Sequence, residues 1–309
     1  MDVIVVDDGS TDGSLDLIRS FEPRITWRRQ ENQGAPTARN HGLSLADGPY
    51  VKFLDADDVL DRTAIELRHV HIAYNEADGD VLRDANVSIP VNTTVALVGE
   101  SGAGKSTLVD LLTLMLKPRN GTIEIDGVPH DEVDLASWRN QIGYVSQETV
   151  VFDDTVANNI SLWQGDVEED PALRERVIHA AERAHADHFI RDLPNGYQTV
   201  VGDRGVRLSG GQRQRLFVAR ELFKQPNLLL LDEATSDLDT ASEQHIQNSI
   251  DALKGEVTVV IIAHRLSTVK NADRVYVLDE GQVIEQGAYH KLRSRENGEF
   301  REMVEMQTL

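Results

Sequence analysis

The chain has 309 residues, of which 40% are hydrophobic, and it carries a formal net charge of −21 with no cysteine. The apolar content is ordinary for a globular core, and the negative charge argues against nucleic acid as the main partner, because duplex binding requires basic patches. Disulfides and thiolate zinc sites are excluded. No run approaches the roughly 20 apolar residues of a membrane span, and the basic start of a secretory signal is lacking, so we expect a soluble chain.

The first part of the chain alternates apolar strands with amphipathic segments, which predicts a parallel α/β unit. We expect a buried strand at Val3–Val6, a helix from Ser14 and a short strand at Ile25–Trp27. A second helix should follow Gln33, and a third strand is expected at Tyr50–Leu54. Acidic loops follow the first and last of these strands, at the edge where α/β sheets place ligands.

The two acidic loops read DDGSTD at Asp7–Asp12 and DADD at Asp55–Asp58. Clustered carboxylates suit a hard divalent cation, although each loop alone is equally well explained as a solvated turn. In order with Asn32–Gly42, these loops resemble the family-two glycosyltransferases of the GT-A fold. The resemblance implies a nucleotide-sugar site in a Rossmann-like α/β fold.

By this resemblance, Asp8 contacts the nucleotide base, while Asp55 and Asp57 contact the ribose and a Mn²⁺ or Mg²⁺ ion on the diphosphate of a nucleotide sugar. The opening strand of the family should precede the first predicted strand, and its acceptor-binding half should follow the second acidic loop. Only about 60 residues match, which is small for an independent core. We therefore expect residues 1–62 to be a partial glycosyltransferase fragment, inactive because it is truncated.

A phosphate-binding loop is predicted at Gly99–Ser106, whose sequence GESGAGKS fits the pattern GxxxxGK[ST]. The apolar run Thr94–Val98 predicts a buried strand before it, and helical spacing of apolar residues predicts a helix after it. Glycines let the backbone approach an anion, so that successive N–H groups and the helix N-terminus face a phosphate. Lys105 can then reach the β- and γ-phosphates, and the Ser106 hydroxyl can bind Mg²⁺.

Further elements are predicted before and after this loop in the sequence. Alternating apolar residues predict an antiparallel strand pair at Ile65–Tyr74 and Val81–Ile89. The stretch from Thr155 to Arg191 is predicted to be mainly helical, and Arg293–Leu309 to be a charged, partly exposed helix.

Two downstream motifs carry further chemistry. Leu228–Leu231 predicts a buried strand followed by two carboxylates, and this resembles a Walker B segment. The resemblance implies that Asp232 holds Mg²⁺, directly or through water, and Glu233 is placed to accept a proton from an attacking water. Taken alone, this pattern is more typical of a core strand with a solvated acidic end. Leu208–Gln212, with the sequence LSGGQ, precedes a predicted helix whose N-terminus can receive an anion.

LSGGQ resembles the signature motif of ABC-type ATPases, and the resemblance covers about residues 65–300. The motifs follow the family order: an aromatic residue, Walker A, Gln147, the signature, Walker B, residues 236–239 and His264. This implies an α/β P-loop NTPase fold over residues 63–309, namely an ABC-type nucleotide-binding domain. Its expected parts are a mixed sheet core, an antiparallel β subdomain and a helical subdomain.

The same resemblance assigns site residues. The expected catalytic residues are Glu233, His264 and Gln147, and the expected Mg²⁺ ligands are Ser106, Gln147 and Asp232. Tyr74 would stack on the adenine of ATP. Outside this motif order, a packing tyrosine, a surface glutamine and a structural histidine are the ordinary alternatives. The full set expected to contact ATP is Tyr74, Gly99, Ser101, Gly102, Gly104, Lys105, Ser106, Thr107, Ser209, Gly211 and Gln212.

In ABC proteins, ATP lies between Walker A of one copy and the signature of a second copy, so a head-to-tail homodimer is implied. Val201–Gly205, Ala263–Thr268 and Val283–Gly287 resemble exporter-type domains. We therefore expect ATP hydrolysis that powers export of a lipid, glycolipid or drug-like substrate. The chain would be cytoplasmic, held peripherally at the inner membrane face by a transmembrane partner that it lacks. The alternatives are a sugar transferase and a non-transport ABC protein of regulation or repair.

Overall fold

The computed structural model of the chain describes residues 3–23, 25–46, 65–75, 79–146, 150–203, 205–232, 240–263 and 265–308. The chain divides into two compact units, Met1–Asp61 and Arg62–Leu309.

The described part of the N-terminal unit contains a two-stranded parallel sheet. Strand β1 (Ile4–Asp7) pairs with β2 (Thr26–Arg29). Helix α1 (Ser14–Arg19) connects them, and α2 (Ala35–Ser44) packs against β1. This is the parallel arrangement that the alternating pattern predicts. The predicted third strand and second acidic loop, residues 50–58, lie outside the described residues.

The larger unit contains most of the regular structure. Its strands are β3 (Ile65–Ile72), β4 (Leu82–Ile89), β5 (Thr94–Val98), β6 (Asn120–Ile125), β7 (Val128–Pro129), β8 (Ile142–Val145), β9 (Asp154–Thr155), β10 (Val200–Val201), β11 (Leu228–Asp232), β12 (Thr258–Ile262), β13 (Arg274–Asp279) and β14 (Gln282–Gly287). Its helices are α3 (Lys105–Leu112), α4 (Leu135–Asn140), α5 (Val156–Ser161), α6 (Pro171–Arg183), α7 (Asp187–Arg191), α8 (Gly210–Phe223), α9 (Thr240–Ala252), α10 (Tyr289–Arg293) and α11 (Glu299–Thr308), with 3-10 turns at Gly196–Gln198 and Leu266–Val269.

The described residues of this unit form three sheets. The largest has the strand order β14-β13-β5-β12-β11-β8 and is parallel except for β14. The second is antiparallel with the order β4-β3-β6-β7, and the third is the antiparallel pair β9-β10. Helices α5 to α8 lie in the sequence between β8 and β11. The mixed sheet core, the antiparallel sheet and the helical segment correspond to the predicted parts.

Strand β5 lies at the centre of the large sheet and is buried over its whole length. Its side chains alternate between two cores: Val95 and Leu97 pack in the layer that contains α3 and the antiparallel sheet. Ala96 and Val98 pack in the layer that contains the helical segment. Burial on both faces is typical of a parallel strand covered by other layers. The loop that leaves the carboxyl end of β5 is therefore anchored in the most enclosed part of the fold.

Candidate functional site

The P-loop connects β5 with α3. Gly99, Gly102 and Gly104 have φ angles of 153°, 84° and 100°, which favour glycine. A Cβ at Gly99 would lie 2.2 Å from the Leu278 carbonyl oxygen, and one at Gly104 would lie 2.6 Å from Leu82 Cδ2. No atom lies within 4 Å of a Cβ built at Gly102, so backbone conformation alone requires glycine there. The loop is thus shaped by close packing at its two ends.

Lys105 curls back over this loop. The side chain is buried, and Nζ donates hydrogen bonds of 2.8 Å to the carbonyl oxygens of Gly99 and Glu100. Gly104 is the N-cap of α3 in a left-handed conformation, and because glycine has no side chain, no side chain caps this helix. The first N–H groups of α3 and the Lys105 ammonium therefore converge on one small region, which suits a bound phosphate.

Two hydroxyl groups flank the start of α3. Ser106 is exposed, whereas Thr107 is buried. The Tyr74 hydroxyl lies 2.9 Å from Thr107 Oγ1, and Tyr74 is 57% exposed. The structure thus brings Tyr74 to the P-loop while leaving much of its ring accessible, as stacking on a planar base would require.

Asp232 lies at the same sheet edge as the P-loop. It pairs with Ile262 of β12, which in turn pairs with Leu97 of β5. Two strand spacings separate its backbone from β5 by about 10 Å. The Tyr144 hydroxyl donates to Asp232 Oδ2 at 2.9 Å. The pKa of Asp110 on α3 is raised, mainly because the carboxyl group is partly buried and secondly because of the nearby charge of Asp232. Burial, followed by the hydrogen bond to Asp232, also raises the pKa of Tyr144.

The signature motif forms the N-terminus of α8. Ser209 Oγ accepts a hydrogen bond from the Gln212 N–H at 3.2 Å, and Gln212 Oε1 accepts one from the Ser209 N–H at 2.9 Å. This reciprocal pair is a capping box. Gly211 is buried behind it. The predicted signature residues therefore form the start of a fourteen-residue helix in the helical segment, separate in the fold from the P-loop helix.

Three predicted catalytic residues, Gln147, Glu233 and His264, lie outside the described residues, as do the Mn²⁺ or Mg²⁺ candidates Asp55 and Asp57. In the sequence, Gln147 comes after β8, which ends at residue 145, Glu233 after β11, which ends at residue 232, and His264 after β12, which ends at residue 262. These three strands are parallel neighbours in the large sheet.

Asp8 in the N-terminal unit has its carboxylate engaged within the fold. Oδ1 accepts from Gln30 Nε2 at 2.8 Å and from the Gln33 N–H at 3.0 Å, and Oδ2 accepts from the Gly34 N–H at 2.8 Å. These hydrogen bonds, that from the Gln33 N–H first, lower the pKa of Asp8. In this structure the carboxylate connects the loop after β1 to the start of α2.

Comparison with known proteins gives the family. Residues 82–236, slightly more than half of the chain, match the family model described as "ABC transporter". The chain belongs to the ABC transporter family. Residues 1–83 match the model described as "Glycosyl transferase family 2". Both predicted resemblances are thereby confirmed. Members of the ABC family generally use ATP with Mg²⁺.

Several ABC proteins are similar over most of this chain. The ATP-dependent lipid A-core flippase of Coxiella burnetii (strain RSA 493 / Nine Mile phase I) is 44% identical over 276 residues, covering 86% of this chain and 46% of that protein. ATP-binding cassette sub-family B member 10, mitochondrial, of Mus musculus is 43% identical over 261 residues, covering 84% of this chain and 36% of that protein. The solved structure of a bacterial Atm1-family ABC exporter with ATP bound matches this chain with a TM-score of 0.71 and 37% sequence identity. The match covers 89% of this chain and 47% of the exporter chain. The chain therefore spans less than half the length of these relatives. The family match and the similar structure confirm the predicted fold class.

The ABC unit also has a cavity of about 510 Å³ beside the start of α8. Apolar and charged side chains share its lining. Its residues are Val150, Val151, Gly202, Asp203, Arg207, Leu208 and Arg213. Within the described ranges, no helix has the length and apolar character needed to cross the membrane. The same ranges contain no group of three or more His, Asp or Glu side chains arranged to hold a metal.

Sequence reasoning missed two residues of this ABC site, Tyr144 and Asp110. Asp110 lies four residues after Ser106, so helical spacing places both on one face of α3 and could have indicated it. Tyr144 is near Asp232 only because β8 and β11 are neighbours, which no local pattern reveals.

Proposed function

We propose that residues 63–309 are the ATP-hydrolysing domain of an ABC exporter and that two copies bind ATP between them, head to tail. The observation that carries this proposal is the shared sheet edge, where the P-loop and Asp232 lie on strands separated by β12 alone. A triphosphate on the loop would therefore extend toward a carboxylate suited to its divalent cation.

We assign each site residue a role in binding or hydrolysing ATP. Lys105 and the N–H groups of Gly102 and Gly104 hold the phosphates, and Ser101, Thr107 and Gly99 complete the loop. Ser106, Asp232 and Gln147 would hold Mg²⁺, which offsets charge on the β- and γ-phosphates. Glu233 accepts a proton from the attacking water, and His264 contacts the γ-phosphate.

The second copy would close the exposed side of the γ-phosphate. The capping box leaves the Ser209 hydroxyl hydrogen able to donate, because a hydroxyl both accepts and donates. With Gly211 and Gln212, it would present the N-terminus of α8 to the phosphate. Closure would exclude water and fix donors around the transferring group, so isolated chains should bind ATP better than they hydrolyse it.

The transmembrane partner would dock in the cavity beside α8. Its mixed lining, with Val150 and Leu208 beside Asp203 and Arg207, suits an amphipathic helix. Such docking would hold the chain at the cytoplasmic face of a membrane. Because similar proteins are called lipid A-core flippases, we propose a lipid or glycolipid substrate, with a drug-like compound as the other class.

A subunit-mixing experiment tests the dimer. Lys105→Ala and Ser209→Arg chains should each hydrolyse ATP poorly, but a 1:1 mixture contains heterodimers with one intact composite site. If chains pair at random, phosphate release should recover to about a quarter of the unmixed wild-type rate. A mixture no more active than its components would refute the head-to-tail site. For the Ser209→Arg chain, Asp134→Ala is the control for loss of a helix cap, because Asp134 caps α4 by accepting from the Ser137 N–H at 2.9 Å.

A second experiment tests the general base. Glu233→Gln should abolish phosphate release while equilibrium binding of ATP stays within about twofold. If Glu233→Gln hydrolysed ATP at the wild-type rate, Glu233 would not be the general base.

For residues 1–62 we propose no transferase turnover. The Asp8 carboxylate already accepts three of the about four hydrogen bonds that a carboxylate can take, so little of its capacity is left for a nucleotide base. Incubation with a nucleotide sugar and Mn²⁺ or Mg²⁺ should therefore release no nucleoside diphosphate. Turnover that Asp57→Ala abolishes would contradict this proposal.

A further inference from the structure

A tyrosine hydroxyl contacts the carboxylate that we assign to Mg²⁺. Tyr144 donates to Asp232 Oδ2 at 2.9 Å, and in the described part of the chain it is the one hydrogen-bond donor to Asp232. The strands place these residues diagonally, because Tyr144 pairs with Leu230, two positions before Asp232. Diagonal neighbours on adjacent strands are within reach of an aromatic side chain.

The backbone at Tyr144 is held from two sides. Its own N–H donates to Glu221 Oε2 of α8 at 3.1 Å. Glu221 is buried and accepts from Lys224 Nζ at 2.8 and 2.7 Å. The backbone of β8 is paired with β11 on one side. These contacts fix the backbone from which the phenol reaches Asp232, while Tyr144 itself is 40% exposed.

A donor that is hydrogen-bonded to one oxygen of a carboxylate has a specific effect on that group. Occupying one oxygen restricts rotation of the carboxyl group and leaves the other oxygen for a metal. Hydrogen bonds of this kind orient metal ligands, and their loss typically weakens metal binding by roughly 10- to 100-fold.

We propose that Tyr144 is a positioning residue for the divalent cation, acting through Asp232. It would hold Oδ2 and leave Oδ1 available to the cation, directly or through a water. This inference rests on the proposed role of Asp232. It predicts that removing the phenol oxygen weakens metal binding and leaves nucleotide binding without metal unchanged.

The test uses the full chain with Tyr144→Phe and a non-hydrolysable ATP analogue. Electron paramagnetic resonance would measure Mn²⁺ bound to the protein–nucleotide complex. We expect the Mn²⁺ dissociation constant to rise about tenfold, whereas affinity for the analogue in EDTA stays within about twofold. Tyr197→Phe is the matched control, because the Tyr197 hydroxyl donates to Asp187 Oδ1 at 2.7 Å, a contact made within the helical segment. Its Mn²⁺ affinity should not change.

Asp232→Asn separates the two levels of the proposal. If Asp232→Asn weakens Mn²⁺ binding but Tyr144→Phe does not, the positioning role is wrong and the proposed function remains. If neither variant weakens it, the assignment of Asp232 to the metal fails as well. A loss of analogue affinity in EDTA by Tyr144→Phe would show a general structural role and would also overturn the inference.

Discussion

Arg220 of α8 connects the signature helix to the segment that follows Gln147. It is buried, and its guanidinium donates to the Asn159 carbonyl at 2.7 Å, to the Val150 carbonyl at 2.9 Å and to Asn159 Oδ1 at 3.0 Å. It also lies over the rings of Phe152 and Phe217, with 5.0 and 4.9 Å to their centroids. Replacing it with methionine would keep most of the volume and remove all of these polar contacts.

The expected cost of Arg220→Met follows from the acceptors it leaves. Asn159 is fully buried, so its carbonyl would lose its donor at a cost of about 1–3 kcal/mol. Val150 is exposed, so water can replace the donor to its carbonyl. Asn159 Oδ1 still accepts from the Phe152 N–H. Two lost cation–π contacts add about 1 kcal/mol each, which gives about 3 kcal/mol in total after some relief of charge burial.

Hydrogen exchange in the full chain measures this loss where it occurs. Peptides covering residues 150–163 should exchange about 100-fold faster at their protected amides, since about 1.4 kcal/mol corresponds to a factor of ten. Arg176→Met is the matched control, because Arg176 is exposed and lies over the Phe223 ring at 4.5 Å. It should change exchange by less than about tenfold. Unchanged exchange in Arg220→Met would refute the view that this guanidinium holds the segment.

Three further predictions concern the P-loop. Lys105→Met removes the ammonium from the loop and should weaken ATP binding about 100-fold, measured by calorimetry. Gly104→Ala should lower the free energy of unfolding by about 2–5 kcal/mol in urea, because a Cβ there meets Leu82 at a φ of 100°. Gly127→Ala, at a φ of 76° with no atom within 4 Å, should cost only about 1–2 kcal/mol. Tyr74→Phe keeps the ring and should weaken ATP binding about threefold, whereas Tyr74→Ala should weaken it by up to about 100-fold; equal losses would argue against stacking.

The elements that carry the motifs were predictable because their signals are local. The apolar run before Gly99 and the helical spacing after Lys105 predict β5 and α3, and both are present. Ser209 followed three residues later by Gln212 is the sequence pattern of a capping box, and α8 begins at Gly210. Each of these features depends on neighbours within a few residues, so sequence spacing suffices to predict it.

The contacts that tune the site were not predictable in this way. Tyr144 reaches Asp232 because β8 lies beside β11, although 88 residues separate the two in sequence. Arg220 resembles an exposed helix arginine in the sequence, and its burial depends on the path of the chain around Asn159. Asp8 was assigned from an acidic motif, yet its hydrogen bonds come from residues 22 to 26 positions away. Strand order and tertiary packing decide all three.

The topology of the ABC unit gives these contacts a common consequence. The helical segment leaves the large sheet after β8 and returns to it at β11, and these neighbouring strands carry Tyr144 and Asp232. Glu221, next to Arg220 on α8, accepts from the Tyr144 N–H, so the same helix is tied to both the edge strand and the segment after residue 149. The cavity proposed for a transmembrane partner is lined by residues of that segment and of the start of α8. A partner that shifts α8 would therefore act on the proposed metal site through Tyr144 while it moves the signature residues.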